Sequence, residues 1–478
     1  MKLYRILLVS IIVALTYTSC ETVDPFDVVN PNLSEEALVG QPNSAAIWLN
    51  GLKRQTAITV NNTFIIAEIA SDNYVNTQTF YNQFVDDLTI DYQDDDIDDA
   101  QFHIARLRES ALYGLEQIGP NDPNYTDDIQ ADYFFYLGYS HLLAGEYFRA
   151  LATVPGGPLQ PRSAHYELAV QYFTDSYDLN MNTAAILGRA RANYHLGNAT
   201  EAIADAQQAI ALDPDFILYA DFDPQNSTGN NNGLNYTVSD LQDALYDRGS
   251  FDDLQPLPRL DFLDPKFSVI SANEDAPIPI LKIEEAHLII AEANVSTGNV
   301  PLAQQTLQDL LGVVNGRLVR SINDAAEDRS QRAPGSRPDT AVVVVDGRPG
   351  LVLNRDDGNV SIPAVSGTSV DTARILTTLG VDDMLELVYL MRQEIFIAEG
   401  RRFTDMGLTL VISQNEQQLN PNVASDQIIA DIPPFLAGIS DQLDAFTYDQ
   451  TAYTVSIAVD VNEVIVANKT SDYVCPFE

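Results

Sequence analysis

Between Thr183 and Phe216, 34 residues carry one register of small side chains that few folds can use: Ala190, Gly197, Ala202, Ala206 and Ala209, with Tyr194 and Leu196 between them and Pro214 near the end. Small residues at these positions let two antiparallel helices approach closely. Gly197 and Asn198 supply the turn, and Pro214 stops the second helix. The register recurs. Upstream, Leu137-Gly138 opens a copy, Gly145 is its turn, and Ala150 follows five residues later, the spacing of Gly197 to Ala202. Downstream, Ala291, Gly298-Asn299 and Ala303 repeat it, with Leu307 and Leu310 extending the apolar face. A single hairpin cannot bury its own face, so such units stack.

The period is that of a tetratricopeptide repeat. The predicted fold is mainly α, a tetratricopeptide-like superhelix of helical hairpins at about 131–216, 281–316 and 383–410 within one domain, 41–478. The copies are not contiguous. Insertions at about 71–100, 217–280, 317–380 and 411–478 separate them, and the second is rich in Asn, Asp, Gly and Pro. In the third, Ala341 to Val345, the turn Asp346-Gly347 and Leu351 to Leu353 predict a small β-hairpin. Weak alternation from Tyr453 to Val466 predicts short strands or loops. Long insertions on a repeat scaffold usually build a binding face.

The N-terminus is a separate matter. Lys2 and Arg5 precede an apolar run, Ile6 to Leu15, and the small residues Thr18 and Ser19 precede Cys20. That order is a signal peptide over 1–19, with an apolar run too short to span a bilayer. Cys20 after small residues resembles a bacterial lipobox, with Tyr17 where Leu is usual; a lipid on Cys20 would then be the sole membrane contact, and an ordinary signal peptide is the alternative. Residues 20–40 read as an acidic, Pro-containing tether. The formal net charge of −42 excludes nucleic acid, whose phosphates require Lys and Arg, and opposes docking on anionic lipid. Cys475 is the only other cysteine, so a lipidated Cys20 leaves no intramolecular disulfide.

Three stretches together resemble the SusD/RagB family. Met391 to Met406 (MRQEIFIAEGRRFTDM) is similar to its Arg-x-x-Glu-Leu-x-x-Glu-Gly-x-Arg-x-x-Asp-Leu signature through Arg392, Glu394, Glu399, Gly400, Arg402 and Asp405, with Glu394 one residue nearer Arg392 than the pattern has it. Pro279 to Ala293 (PILKIEEAHLIIAEA), with Asn315 and Arg317 beyond it, resembles the family's acidic helix and its Asn-x-x-Arg stretch, one residue shorter here. Arg149, Ala150, Gly157, Pro158 and Leu159 resemble a further landmark. The resemblance implies a lipoprotein on the outer face of the outer membrane. It would bind an oligosaccharide, or a peptide as in some members, and pass it to a SusC-like TonB-dependent transporter.

The residues themselves suggest binding more than catalysis. A carboxylate pair, Glu394 with Glu399, lies five residues apart and would sit about 140° around one helix, so internal ion pairs with Arg392, Arg402 and Asp405 are the better reading. No zinc motif, nucleophile elbow or phosphate loop occurs, and no cofactor is expected. Asp86 to Asp99 holds eight aspartates in fourteen residues, an acidic loop for which Ca²⁺ is the less favoured role. Ligand candidates are Asn73, Tyr74, Asn76, Phe80 and Tyr81 after the first long helix, then Tyr219 and Tyr236 in the Asn-rich insertion, because a pyranose offers an apolar face and a polar rim. A repeat scaffold for another envelope protein is the alternative in a different class.

Overall fold

Threonines explain how the first long helix, α1 (Ser44–Ile69), is buried on most of its circumference although it carries polar residues. Thr56, Thr59 and Thr63 each donate to the carbonyl four residues back, at 2.9, 2.8 and 2.8 Å, so their hydroxyls need no outside partner. Its N-terminus is closed from a distance: Asp122 accepts from the Asn43 and Ala45 amides at 3.0 and 2.9 Å. The computed structural model describes residues 38–76, 83–222, 254–264, 266, 276–323, 338–354 and 358–478. Among these no helix is long and apolar enough to cross a membrane.

After α1 and the short strand β1 (Tyr74–Asn76) comes α2 (Asp95–Tyr113). The acidic run is therefore not all loop. Asp94 caps α2, accepting from Asp96 N, and Asp95, Asp96 and Asp98 fill its first turn, where the helix dipole favours negative charge. Helix α3 (Asp127–Tyr147) follows, then the hairpin β2 (Ala150–Ala152) and β3 (Leu159–Pro161). The superhelix continues through α4 (Arg162–Asn180), α5 (Thr183–His195) and α6 (Ala199–Leu212). Successive helices pack as neighbours from α1 to α6.

The central repeat is as predicted: α5 and α6 form a hairpin, Gly197 turns at φ +72°, and Ala202, Ala206 and Ala209 are fully buried. The upstream copy is not. Gly145 lies inside α3 and makes no turn. Its bare Cα instead admits the Tyr166 ring of α4, which an added Cβ would meet at 2.6 Å. The same chemistry, a small residue at a close approach, served helix packing and not chain reversal.

Strand β4 (Ile217–Ala220) pairs antiparallel with β6 (Ile278–Lys282), and β5 (Leu254–Pro256) pairs with β1. Then α7 (Glu284–Ser296) and α8 (Val300–Asn315) form the third hairpin, turned by Gly298 at φ +74°, and α7 packs against α6. Beyond it, β7 (Val319–Asn323) pairs with β10 (Asn359–Pro363). The predicted β-hairpin exists with a shorter second arm: β8 (Val344–Val345) and β9 (Arg348–Pro349) flank Asp346 and Gly347, both at positive φ. Leu351 and Val352 form no strand but pack in a small separate core with Val343, Val345 and Val455. Strand β8 also runs parallel to β12 (Thr454–Ile457), itself paired with β11 (Phe446–Asp449). Helices α9 (Thr372–Thr377), α10 (Val381–Ile395), α11 (Arg401–Asp405) and α12 (Val461–Ala467) complete the fold, with α10 lying on α7 and α12 on α10.

Candidate functional site

Asn50, Lys53 and Arg54 stand at i, i+3 and i+4 on α1, so they share the one strip of that helix that reaches solvent. Facing them are Tyr136 of α3 and, from β4 and the residues after it, Tyr219, Asp221 and Phe222. A register shift between Leu218 and Tyr219 breaks the β4–β6 ladder, and such an irregularity re-aims the side chain beside it. These groups enclose a cleft of about 410 Å³, within the usual range for small-ligand sites. Burial pushes the Tyr136 and Tyr219 hydroxyls up, so both stay protonated as neutral donors. Burial also raises the Asp221 carboxyl, against the pull of Lys53. The cleft thus offers aromatic surface, an amide, two cations and a carboxyl group around one recess. That set can hold a neutral polyhydroxyl ring by its apolar face and its rim.

The signature residues lie elsewhere, in a buried polar spine. Arg392 meets Asp405 at 2.6 Å, and Arg402 reaches Asp72 at 2.5 Å. Asp72 also takes Arg259 at 2.7 Å. Burial alone would raise the Asp72 carboxyl, but the two guanidiniums outweigh it and hold it below the ordinary range. Glu399 receives Lys282 at 2.6 Å and also Lys266. Burial brings the Lys266 ammonium down to about 7, although Glu399 opposes this. Glu394 accepts from Thr368 Oγ1 at 2.6 Å and from Ser369 N at 2.8 Å. Helix α10 ends at Ile395, Ala398 and Gly400 take positive φ, and α11 starts afresh, so Glu394 and Glu399 never share a helix as the 140° reading assumed. Both are buried and bonded, which suits structural ion pairs. Only Arg392 with Asp405 pairs inside the signature; Arg402 finds Asp72, and Glu399 finds two lysines.

No protein-family model and no curated protein matches this sequence. Solved structures do. A SusD-like carbohydrate binding protein from Bacteroides vulgatus superposes with a TM-score of 0.51 at 13% identity, covering 82% of this chain and 99% of that one. A SusD superfamily protein from Bacteroides fragilis gives 0.54 at 14% identity, over 80% and 99%. One from Parabacteroides distasonis gives 0.50 at 12%, over 82% and 99%. This chain has the SusD-like fold. At these identities the similarity is one of architecture, and nearly the whole length of each relative takes part.

Within the SusD-like fold the first group of predicted ligand residues needs correction. Asn73 is fully buried, its amide donating to Glu68 at 2.8 Å and its carbonyl accepting from Gln393 at 3.2 Å. Tyr74 is buried on β1 opposite Pro256. Both belong to the core, because β1 and β5 close over the polar spine. Asn76 ends β1 opposite Leu254, while Phe80, Tyr81, Tyr236 and Cys20 lie outside the described residues. Tyr219 lines a cleft. The residues that sequence reasoning missed are Asn50, Lys53, Arg54, Tyr136 and Asp221. The i, i+3, i+4 polar strip on an otherwise buried helix was a readable sign of the first three; nothing local marks Tyr136. A second recess, also about 410 Å³, lies under the C-terminal segment. Three of its polar tips are already engaged: Tyr194 bonds Glu292, Tyr166 bonds the Gly145 carbonyl and His195 bonds Glu146, at 2.9, 2.7 and 2.9 Å, whereas the Thr404 and Ser471 hydroxyls are buried without a bond. It is the weaker candidate. Among the described residues no three His, Cys, Asp or Glu side chains converge as a metal site.

Proposed function

We propose that this chain is a non-catalytic, lipid-anchored binding protein of the outer cell surface. It would capture an oligosaccharide and deliver it to a SusC-like TonB-dependent transporter. The observation that carries the reading is the α1–β4 cleft, with Tyr136, Tyr219 and Phe222 beside Asn50, Lys53 and Asp221, set in a SusD-like fold. A structural relative being a carbohydrate binding protein supports the ligand class. The lipobox-like Ser19-Cys20 supports the anchor. The buried, bonded state of Glu394 and Glu399 supports binding without hydrolysis, since a glycosidase needs its two carboxyls on an open cleft.

The test is affinity electrophoresis of residues 21–478 against a polysaccharide panel, with calorimetry on each ligand found. Retardation by a glycan, lost in Tyr219→Ala and weakened in Lys53→Ala, is the expected result. Retardation untouched by both changes would remove the cleft from the account. Turnover of the glycan would overturn the non-catalytic part, and retardation by no glycan would leave the peptide-binding alternative. Purification from the native membrane is expected to bring a large β-barrel with the chain.

A further inference from the structure

A smaller pocket, about 170 Å³, shares no residue with the α1–β4 cleft. It lies where the β8–β9 turn meets α10 and the start of α12, and its charged lining is Arg259, Arg348 and Arg374 with Asp346, Glu386 and Asp460. Three guanidiniums and three carboxylates converge on this small space, in a chain of net charge −42.

Arg259 forms the buried floor. Its two terminal nitrogens go to Asp72 at 2.7 Å and to Asp460 at 3.1 Å, and its Nε–H has no partner. Arg348, partly exposed, donates to Ser369 at 2.5 Å and stands 3.9 Å from Glu394, leaving most of its N–H groups uncommitted. The Arg374 guanidinium and the Glu386 carboxylate have no hydrogen-bond or ion-pair partner among the described residues. Burial, and then Arg374 and Arg259 nearby, push the Arg348 guanidinium down; Glu394 and Asp460 only partly offset them. The spare groups are therefore two forked cations and the Glu386 carboxylate, with Asp346 at the rim, one of its oxygens taken by Ile457 N at 3.1 Å.

We propose that this pocket grips the carboxylate of an acidic sugar unit, a hexuronate residue of the glycan, between Arg348 and Arg374, while Glu386 accepts from a ring hydroxyl. Planar guanidiniums match a carboxylate in two-point contact. The volume falls below the roughly 300–1,000 Å³ of ordinary ligand sites, so it suits a single ring or terminal unit and not a chain. A phosphate monoester, a dianion, would face Asp346, Glu386 and Asp460 with more charge than two guanidiniums offset, and a planar carboxylate matches the guanidinium fork better than a tetrahedral sulfate ester. A hexuronate supplies one negative charge and several hydroxyls.

The inference rests on the glycan reading, and its test separates the two. Residues 21–478 would be titrated with polygalacturonate, alginate and hyaluronan, with methyl-esterified polygalacturonate as the uncharged counterpart and with neutral glucans. At least one uronate polymer should bind, its methyl ester more weakly, and Arg374→Gln and Arg348→Gln should each weaken binding about tenfold. Arg374 has no bond to lose, so its variant keeps the fold, which circular dichroism checks. Equal affinity for free acid and ester, or no change in Arg374→Gln, overturns the acidic site. Binding of neutral glycans alone overturns it too and leaves glycan capture standing. Silence from every glycan removes both. Displacement of the polymer by L-glutamate as effectively as by D-galacturonate would overturn the sugar assignment.

Discussion

At the residue scale the polar spine sets what can be changed. Asp72 and Arg402 are both buried, and Arg402 forks across both oxygens of Asp72. Breaking a buried pair from one side leaves an uncompensated charge, at a cost of about 3–5 kcal/mol. Arg402→Leu should lower the urea midpoint accordingly, and Arg402→Lys should recover only part, because an ammonium cannot fork. The buried pair His141 and His165 gives a second prediction. His165 Nε2 donates to the Leu151 carbonyl at 3.0 Å, so the neutral ring has a bare Nδ1, which accepts from His141 Nδ1–H at 3.1 Å. A proton on His165 Nδ1 ends that bond. Burial lowers both imidazoles from the ordinary 6.5, so the unfolded chain takes up protons first. The pair's contribution is complete above 6.5 and is lost as pH falls through and below it. Glu68 and Glu292 act in the opposite sense. Burial lifts both from 4.5 to about 7, so they favour the fold at low pH and lose that contribution as pH rises through 7. The histidine part is therefore read as a difference: between pH 7.5 and 5, His141→Phe should shift its denaturation midpoint toward acid stability relative to the parent. An equal shift in both proteins would remove the assigned role.

At the element scale, glycines decide how closely helices pack. Phe173 of α4 lies between Gly138 of α3 and Gly188 of α5, and a Cβ at Gly188 would meet its ring at 2.7 Å. Alanine is the better helix former by up to about 1 kcal/mol, but overpacking costs about 1–3 kcal/mol. Gly188→Ala should therefore destabilise on thermal melting, and pairing it with Phe173→Leu should restore part of the loss. The repeat register was legible in the sequence because turn glycine and packing alanine recur at a fixed interval. It misled at Gly145 for a physical reason: glycine serves a left-handed turn and a close approach equally well, and only the neighbouring Tyr166 ring distinguishes them.

At the scale of the whole molecule, charge is the leading quantity. A net charge of −42 repels itself in the folded state more than in an expanded one. Raising NaCl from 10 mM to 0.5 M should raise the melting temperature, since the Debye length falls from about 30 Å to below 10 Å over that range. A flat or falling response would mean that the internal ion pairs, not the surface, dominate the salt dependence. The four-stranded sheet has its own small core around Val345, Leu351 and Val455, so it is the part whose amides should exchange before those of the helical body.

The helical class, the repeat hairpins at α5–α6 and α7–α8 and the β8–β9 turn were readable from residue order, because each depends on neighbours a few positions apart. The partners in the spine and the walls of the cleft were not. Arg402 meets Asp72 from 330 residues away, and Tyr136 and Tyr219 line one cleft only because β4 folds back beside α1. Asn73 and Tyr74 carry the side chains expected of a sugar site, yet pairing of β1 with β5 buries them. Local periodicity carries information about which face of an element is apolar; which distant face covers it is settled only when the chain closes on itself.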